Sequence, residues 1–369
     1  MADAVPDRRD PDDPSILLIR GSQREAAGDW LAARDAYRQA VATQPGEPTP
    51  RMFLAHALER MEQHGEALLA YYRAITDAQR QGRWLDQAST PPAILERVTY
   101  AMRYVKAGRR RAFEMVLAPV LARHGRAALR RFEECLALHV GERRALPADS
   151  RQQPSFLYFP GLPTSPYFDH ANFPWIDSLE RQTDAIRAEL SAVLPQAERS
   201  ERVFADDTAE RQGLGNDQGA PTWTGFYFYR HGERRDENHA LCPRTSAALE
   251  ALPLVRIREH APEVMFSVLT PGTHILPHRG VTNTRIVCHL PLVIPDDCAL
   301  VVGGEMHRWR EGRAVVFDDT FEHEAWNRGT QTRVVLIIDV WNPHLTAAER
   351  EAVAALVEAS GDFNRAAAT

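Results

Sequence analysis

At 369 residues the chain is longer than one ordinary domain and fits two of roughly 100–200 residues each. A composition of 44% hydrophobic and 25% charged residues excludes global disorder. With 44 basic against 50 acidic side chains, a net charge of −6 and no long basic run, nucleic-acid binding is not expected. Lys106 is the sole lysine, an arginine bias that reads as genome composition rather than a phosphate-binding face. Nine of the 14 histidines fall between His231 and His344, and this clustering is the feature to follow.

Residues 1–14 are charged and proline-rich and are expected to be a disordered tail, with no apolar signal-peptide core. From 15 to 148 the pattern is helical. GDWLAARDAYRQAVATQP, from Gly28, and GEALLAYYRAITDAQ, from Gly65, read as one unit repeated at an interval of 37. Each places alanine five residues after glycine (Ala33, Ala70), with aromatics just beyond (Tyr37; Tyr71 and Tyr72). Small residues let antiparallel helices approach, and the stretch resembles tetratricopeptide repeats, whose period is about 34. Two uses follow for it: a docking surface for a protein partner, or a helical support for the next domain.

Near residue 150 prolines and aromatics crowd in and helical periodicity stops, marking the start of a second domain, 149–369. SLERQTDAIRAELSAVL predicts one amphipathic helix. TGFYFYR, EVMFSVL, TRIVCHLPLVI, ALVVGG, RAVVFDD and RVVLIIDVW then predict strands of an antiparallel sandwich or barrel. Thr346-x-x-Glu349 reads as a capping box opening a last helix. No run reaches the ~18 apolar residues of a membrane span. Cys135, Cys242, Cys288 and Cys298 form no CxxC pair, so reduced, buried thiols and a cytoplasmic setting are expected.

His278 and His323 each stand where a strand-like run meets a turn, 45 residues apart. Imidazoles brought together from separate strands suit Fe(II), Zn or Cu. His274 is a poor partner: Pro277 opposes a helix, and along a strand His274 would lie roughly 13 Å from His278. Arg333, ten residues after His323, shares a strand face with Val335 and Ile337. Buried there, it needs an anion, either a local carboxylate or a dicarboxylate ligand. In TRIVCHL, Arg285, Val287 and His289 share a face and can line one cavity.

SVLTPGTHILPHRGVTNTRIVCHLPLVIP, WREGRAVVFDDTFEHEAWN and TRVVLIIDVWNP together resemble the aspartyl/asparaginyl β-hydroxylase family, over roughly 190 residues. The resemblance implies an α+β multidomain chain. Its N-terminal tetratricopeptide-like helices would precede a double-stranded β-helix (jelly-roll, cupin-like) oxygenase core with flanking helices. It implies an Fe(II)- and 2-oxoglutarate-dependent dioxygenase that uses O2 to hydroxylate the β-carbon of an Asp or Asn residue in a peptide or protein. His278 and His323 would hold iron, and Gly280 stands where most such oxygenases place a third, carboxylate ligand. Arg333 and Ser267 would hold the distal carboxylate of 2-oxoglutarate, His289 its metal-binding end, and Phe168 would sit at the co-substrate pocket. Apart from the resemblance, Asp318, Asp319, Glu322 and Glu324 surround His323 in sequence: either one of them orients its second ring nitrogen or they form a solvated acidic turn.

At three positions where aspartyl-hydroxylating members carry basic residues this chain has Pro163, Met265 and Val287, leaving Arg285 to meet a substrate carboxylate. A free amino acid, a small peptide or a lipid-linked acyl chain therefore competes as substrate. From other classes come a tetratricopeptide adaptor with a degenerate oxygenase domain, and a zinc hydrolase using the same histidines.

Overall fold

The structure, a computed structural model, describes residues 13–197, 203 and 223–368. Residues 1–12 of the expected tail lie outside it, and Pro14 already opens the first helix, capped by the Asp13 carboxylate. The chain divides into two compact units, 1–116 with 359–369, and 117–358; residue 149, expected to begin the second domain, lies inside the second unit.

The first unit is helical. Helices α1 (Pro14–Ala26) and α2 (Trp30–Thr43) are followed by α3 (Pro48–Arg60) and α4 (His64–Arg80), then by the start of α5 (Leu95–Ala128). Prolines at the first positions of α1 and α3 give up only an N–H that a helix start leaves unpaired anyway. The pairs start at Pro14 and Pro48, and at Trp30 and His64, both 34 positions apart. Equivalent buried residues are thus Ala33 and Ala67, Tyr37 and Tyr71, Ala40 and Ala74. The interval of 37 expected from Gly28 and Gly65 is corrected by three residues, because the helix starts and buried tyrosines set the phase, not the glycines. A Cβ on Gly21 would lie 2.3 Å from the Tyr37 ring, so α1 approaches α2 at a point where only glycine fits.

In the second unit α6 (Arg130–His139), α7 (Ile176–Glu180) and α8 (Thr183–Ala197) precede or flank the sheets. The single helix expected over 178–194 is two, broken at Arg181–Gln182. Strands β1 (Tyr167–Phe168), β2 (Trp223–Arg230), β3 (Glu233–Arg234), β4 (Val264–Leu269), β6 (Arg285–Val293), β9 (Val315–Phe317) and β11 (Arg333–Trp341) form an antiparallel sheet in the order β1-β9-β6-β11-β4-β2-β3. A second antiparallel sheet has the order β5-β10-β7-β8, from β5 (Thr273–His278), β7 (Cys298–Val302), β8 (Glu305–His307) and β10 (His323–Asn327). Short helices α9 (Asp236–Leu241) and α10 (Pro243–Glu250) and the last helix α11 (Ala347–Ala368) complete the elements.

Strand alternation splits the large sheet into two faces. Ile286, Cys288 and Leu290 of β6, with Val334, Leu336 and Ile338 of β11, pack in one core with Ile186 and Leu190 of α8. Val287, Val335 and Met265 point the other way, into a core shared with Ile275, Leu300 and Ala325 of the small sheet. The side chains of candidate chemistry lie on this second face, between the sheets. All four cysteines are reduced and buried, and no helix among the described residues is long and apolar enough to cross a membrane.

Candidate metal and co-substrate site

His278 ends β5 and His323 begins β10, and the two are directly opposed in the antiparallel ladder, with ring centroids 4.1 Å apart. Each ring is oriented by its own backbone. His278 Nδ1 meets the carbonyl of Leu276 at 2.9 Å, and His323 Nδ1 that of Phe321 at 3.0 Å. With Nδ1 as donor in each, the tautomer puts the ring lone pair on Nε2, the nitrogen through which a metal would be held. The acids proposed for this orienting role are engaged elsewhere: Asp318 with Thr320 and Gln152, Glu322 with Arg279, Glu324 with His274. Burial, then the charge of His278, push the His323 imidazole down to about 3, so it is neutral and ligand-competent at pH 7.

Between β5 and β10 the register slips, so that Ile275 rather than Leu276 pairs with Ala325. The extra residue is a bulge at Leu276–Pro277, where proline has no ladder hydrogen bond to lose. Ile275 and His278 both line the cavity although they are three apart, while His274 pairs with Glu324 and packs on Trp326. His274 is excluded by this change of face, not by distance along the strand.

The cavity has a volume of about 190 Å³ and reaches from the histidine pair to Arg333. Arg333 is 1% exposed. Its guanidinium donates to the carbonyl and the Oγ of Ser267, each at 3.3 Å, and lies 5.0 Å over the Trp309 ring. Nε has no hydrogen-bond partner among the described residues, and burial pulls the guanidinium down to about 10. Ser267 Oγ also accepts from Trp223 Nε1 at 2.9 Å, which leaves its own O–H as a donor. A buried fork without a carboxylate, next to a hydroxyl donor, is complementary to a ligand carboxylate. His289 lies between Trp309 and Phe317, its Nδ1 buried without a partner, and burial followed by the Arg333 charge holds the ring neutral.

Gly280 faces Asp319. A Cβ at position 280 would lie 2.2 Å from the Asp319 Cγ and Oδ1, so the carboxylate fills the space a side chain there would take. Asp319 Oδ2 lies 3.0 Å from Arg285, while Oδ1 is buried and unpartnered. Two opposed imidazoles form a donor pair that fits a divalent metal such as Fe(II), whose other positions would be filled by the co-substrate and water.

The sequence profile described as Aspartyl/Asparaginyl beta-hydroxylase matches residues 180–343, which contain this whole arrangement. Over that segment the chain is similar to the aspartyl/asparaginyl β-hydroxylase family. Human aspartate beta-hydroxylase domain-containing protein 2 is 35% identical over 207 residues, covering 55% of this chain and 54% of that protein. The ornithine lipid ester-linked acyl 2-hydroxylase of Rhizobium tropici is 36% identical over 191 residues, 51% of this chain and 64% of that one. Human aspartyl/asparaginyl beta-hydroxylase is 34% identical over 182 residues, 49% of this chain and 23% of that protein. The chain thus spans about half the length of the first of these relatives, and its match covers a quarter of the last.

Of the residues expected at the site, His278, His323, Ser267, His289, Arg333 and Arg285 line one cavity. Phe168 does not. It points to the opposite face of the large sheet and packs on Phe173, whereas its neighbour Tyr167 lies against Phe317 and the inner core. A two-residue strand alternates like any other, and the aromatic nearer the cavity is one position earlier. Arg285 is present but occupied: it is 2.6 Å from Asp339 and 3.0 Å from Asp319. The sequence reading missed Asp339, whose signal was its place on the Arg333–Ile337 face of β11, and it missed Glu263.

Proposed function

We propose that residues 117–358 form an Fe(II)- and 2-oxoglutarate-dependent dioxygenase that hydroxylates an unactivated C–H bond. The observation that carries this reading is the pairing of opposed, backbone-oriented His278 and His323 with a buried Arg333 that has no carboxylate partner among the described residues. His278 and His323 would hold the iron, and Arg333 with the Ser267 hydroxyl would hold the distal carboxylate of 2-oxoglutarate. Bound iron would supply the redox chemistry that couples 2-oxoglutarate decarboxylation and O2 to C–H hydroxylation. His289, neutral, would meet the co-substrate without adding charge. Trp223, Phe317 and Leu300 would keep bulk water from the reacting atoms.

Hydroxylation of an Asp or Asn β-carbon needs a group to receive the substrate's side chain. For aspartate, Arg285 is the candidate, and both of its terminal nitrogens already face carboxylates. Met265, Val287, Ile275 and Ile337 in the wall favour an apolar reacting segment, such as the acyl chain for which the Rhizobium relative is named. A degenerate adaptor is disfavoured because an uncompensated buried guanidinium destabilises a fold that makes no use of it. A zinc hydrolase is disfavoured because no cluster of three His, Cys, Asp or Glu suited to a metal occurs among the described residues. For α1–α4 we propose a tetratricopeptide-like pair of repeats. A groove of about 690 Å³, lined by Met52, His56, Tyr71 and Tyr100, would take a protein partner.

Anaerobic addition of Fe(II) and then 2-oxoglutarate to the full chain tests the enzyme reading. A weak visible charge-transfer band that is lost in His278→Ala supports it. Absence of the band, with no succinate released over a broad substrate screen, overturns it.

A further inference from the structure

Four carboxylates, Glu263, Asp319, Glu324 and Asp339, line the cavity against two guanidiniums, Arg285 and Arg333. Arg333 stands apart with Ser267 and Trp309. Glu324 is paired with His274 at 2.6 Å. The remaining three acids share one guanidinium. Arg285 holds Asp339 Oδ1 through Nη1 and Asp319 Oδ2 through Nη2, so its single positive charge is already outmatched by two carboxylates before a ligand carboxylate arrives. Asp339 Oδ2 in turn accepts the backbone N–H of Glu263 at 3.0 Å, which brings the third acid against the pair. Glu263 is the exposed member of the three, 28% accessible against 7% and 2% for Asp319 and Asp339.

The partner that Glu263 has does not neutralise it. The backbone N–H of His231 donates to Glu263 Oε1 at 2.6 Å, and the ring Nδ1 is 2.9 Å away. Burial and then the Arg230 charge hold that imidazole below its ordinary value, so at pH 7 it is neutral. Arg230 lies over the Tyr227 ring rather than on the carboxylate. Asp319 Oδ1 is buried and has no hydrogen-bond partner among the described residues, so that carboxylate is only half satisfied by Arg285. Above pH 7, where Glu263 is ionised, like charges close together in a low-dielectric cavity repel an anion and attract a cation far more strongly than they would in water, and a bound cation in turn favours the ionised carboxylate.

Resting on the hydroxylase reading above, we propose that Glu263 is a specificity-determining residue: it receives a positively charged group of the substrate beside an apolar reacting segment. The Asp319–Arg285–Asp339 clamp makes the same cavity reject a substrate carboxylate. The apolar part lies along Met265, Val287 and Ile337, on the inner face of the large sheet. The substrate class is therefore an amine-bearing aliphatic compound rather than an acidic side chain.

Matched probes test this on the full chain under anaerobic conditions with Fe(II) and 2-oxoglutarate: hexylammonium, hexanol and hexanoate, followed by tryptophan fluorescence, since Trp223 and Trp309 border the site. Hexylammonium should bind roughly tenfold more tightly than hexanoate. Glu263→Gln should remove most of that preference while leaving hexanol affinity unchanged. The charge-transfer band of the wild-type sample separates the two ideas. A missing band removes the hydroxylase reading. A normal band with no preference for the ammonium, through equal binding or none, overturns the role of Glu263, as does a preference that survives Glu263→Gln.

Discussion

Replacing Arg333 by methionine should make the ligand-free protein more stable, although it removes a residue central to the site. The guanidinium is buried without a carboxylate, and its descent from an ordinary value near 12.5 to about 10 corresponds to roughly 3 kcal/mol against the charged form. Because the folded value lies below the unfolded one, this penalty is fully present at every pH below about 10. Methionine of similar volume forfeits the Trp309 contact and the Ser267 bonds, together about 1 kcal/mol. The net gain is then about 2 kcal/mol, or roughly 4–8 °C in Tm for a unit of this size. Thermal unfolding in EDTA measures it. With an inert divalent metal present throughout, adding 2-oxoglutarate at about 100 times its wild-type Kd should stabilise the wild type by about 2.7 kcal/mol further and the variant far less, so the order of stability reverses. A variant less stable than wild type without ligand, or one stabilised equally by 2-oxoglutarate, would refute the reasoning.

Three further outcomes follow from the same geometry. Gly280→Ala places a methyl 2.2 Å from the Asp319 carboxylate, so the carboxylate must leave Arg285; a loss of about 1–3 kcal/mol and weaker Fe(II) binding are expected by calorimetry. Thr346→Ala removes an Oγ1 that accepts the Glu349 N–H at 3.2 Å and should lower stability by about 1 kcal/mol, with 2-oxoglutarate binding unchanged. Burial, ahead of the Asp339 charge, pushes the Glu263 carboxyl up to about 7. Its folded value exceeds the unfolded one, so its contribution favours folding below about pH 4.5 and fades as pH rises to 7. Urea midpoints measured at pH 5 and 8 should differ less in Glu263→Gln than in wild type.

Elements whose signal is local were legible in the sequence. The six long strand runs became β2, β4, β6, β7, β9 and β11, and the Thr346–Glu349 box caps α11, with the Thr346 N–H donating to the Glu349 carboxylate at 2.9 Å. Face alternation placed Arg285, Val287 and His289 on one wall correctly. Neither β5 nor β10 is among those six runs, and the sequence marks only strand ends at His278 and His323, although the two strands carry the histidine pair. THILPH contains a proline and a bulge, and HEAWN has no clean alternation, so both are strands by virtue of their neighbours. The partners of Arg285 were equally hidden. Asp319 and Asp339 are 34 and 54 residues from it in sequence, and only the sheet brings them together.

The small sheet ends in β5, which pairs with β10 alone among the described strands. An edge strand frays more readily than an inner one, since half of its backbone groups lack a ladder partner. A metal shared by His278 and His323 would rivet that loose border to its neighbour across a single rung. Metal occupancy and the order of β5 then become two readings of one equilibrium. Backbone amides from Thr273 to His278 should exchange quickly in metal-free protein and slow down on loading, while those of β6 and β11 stay unchanged.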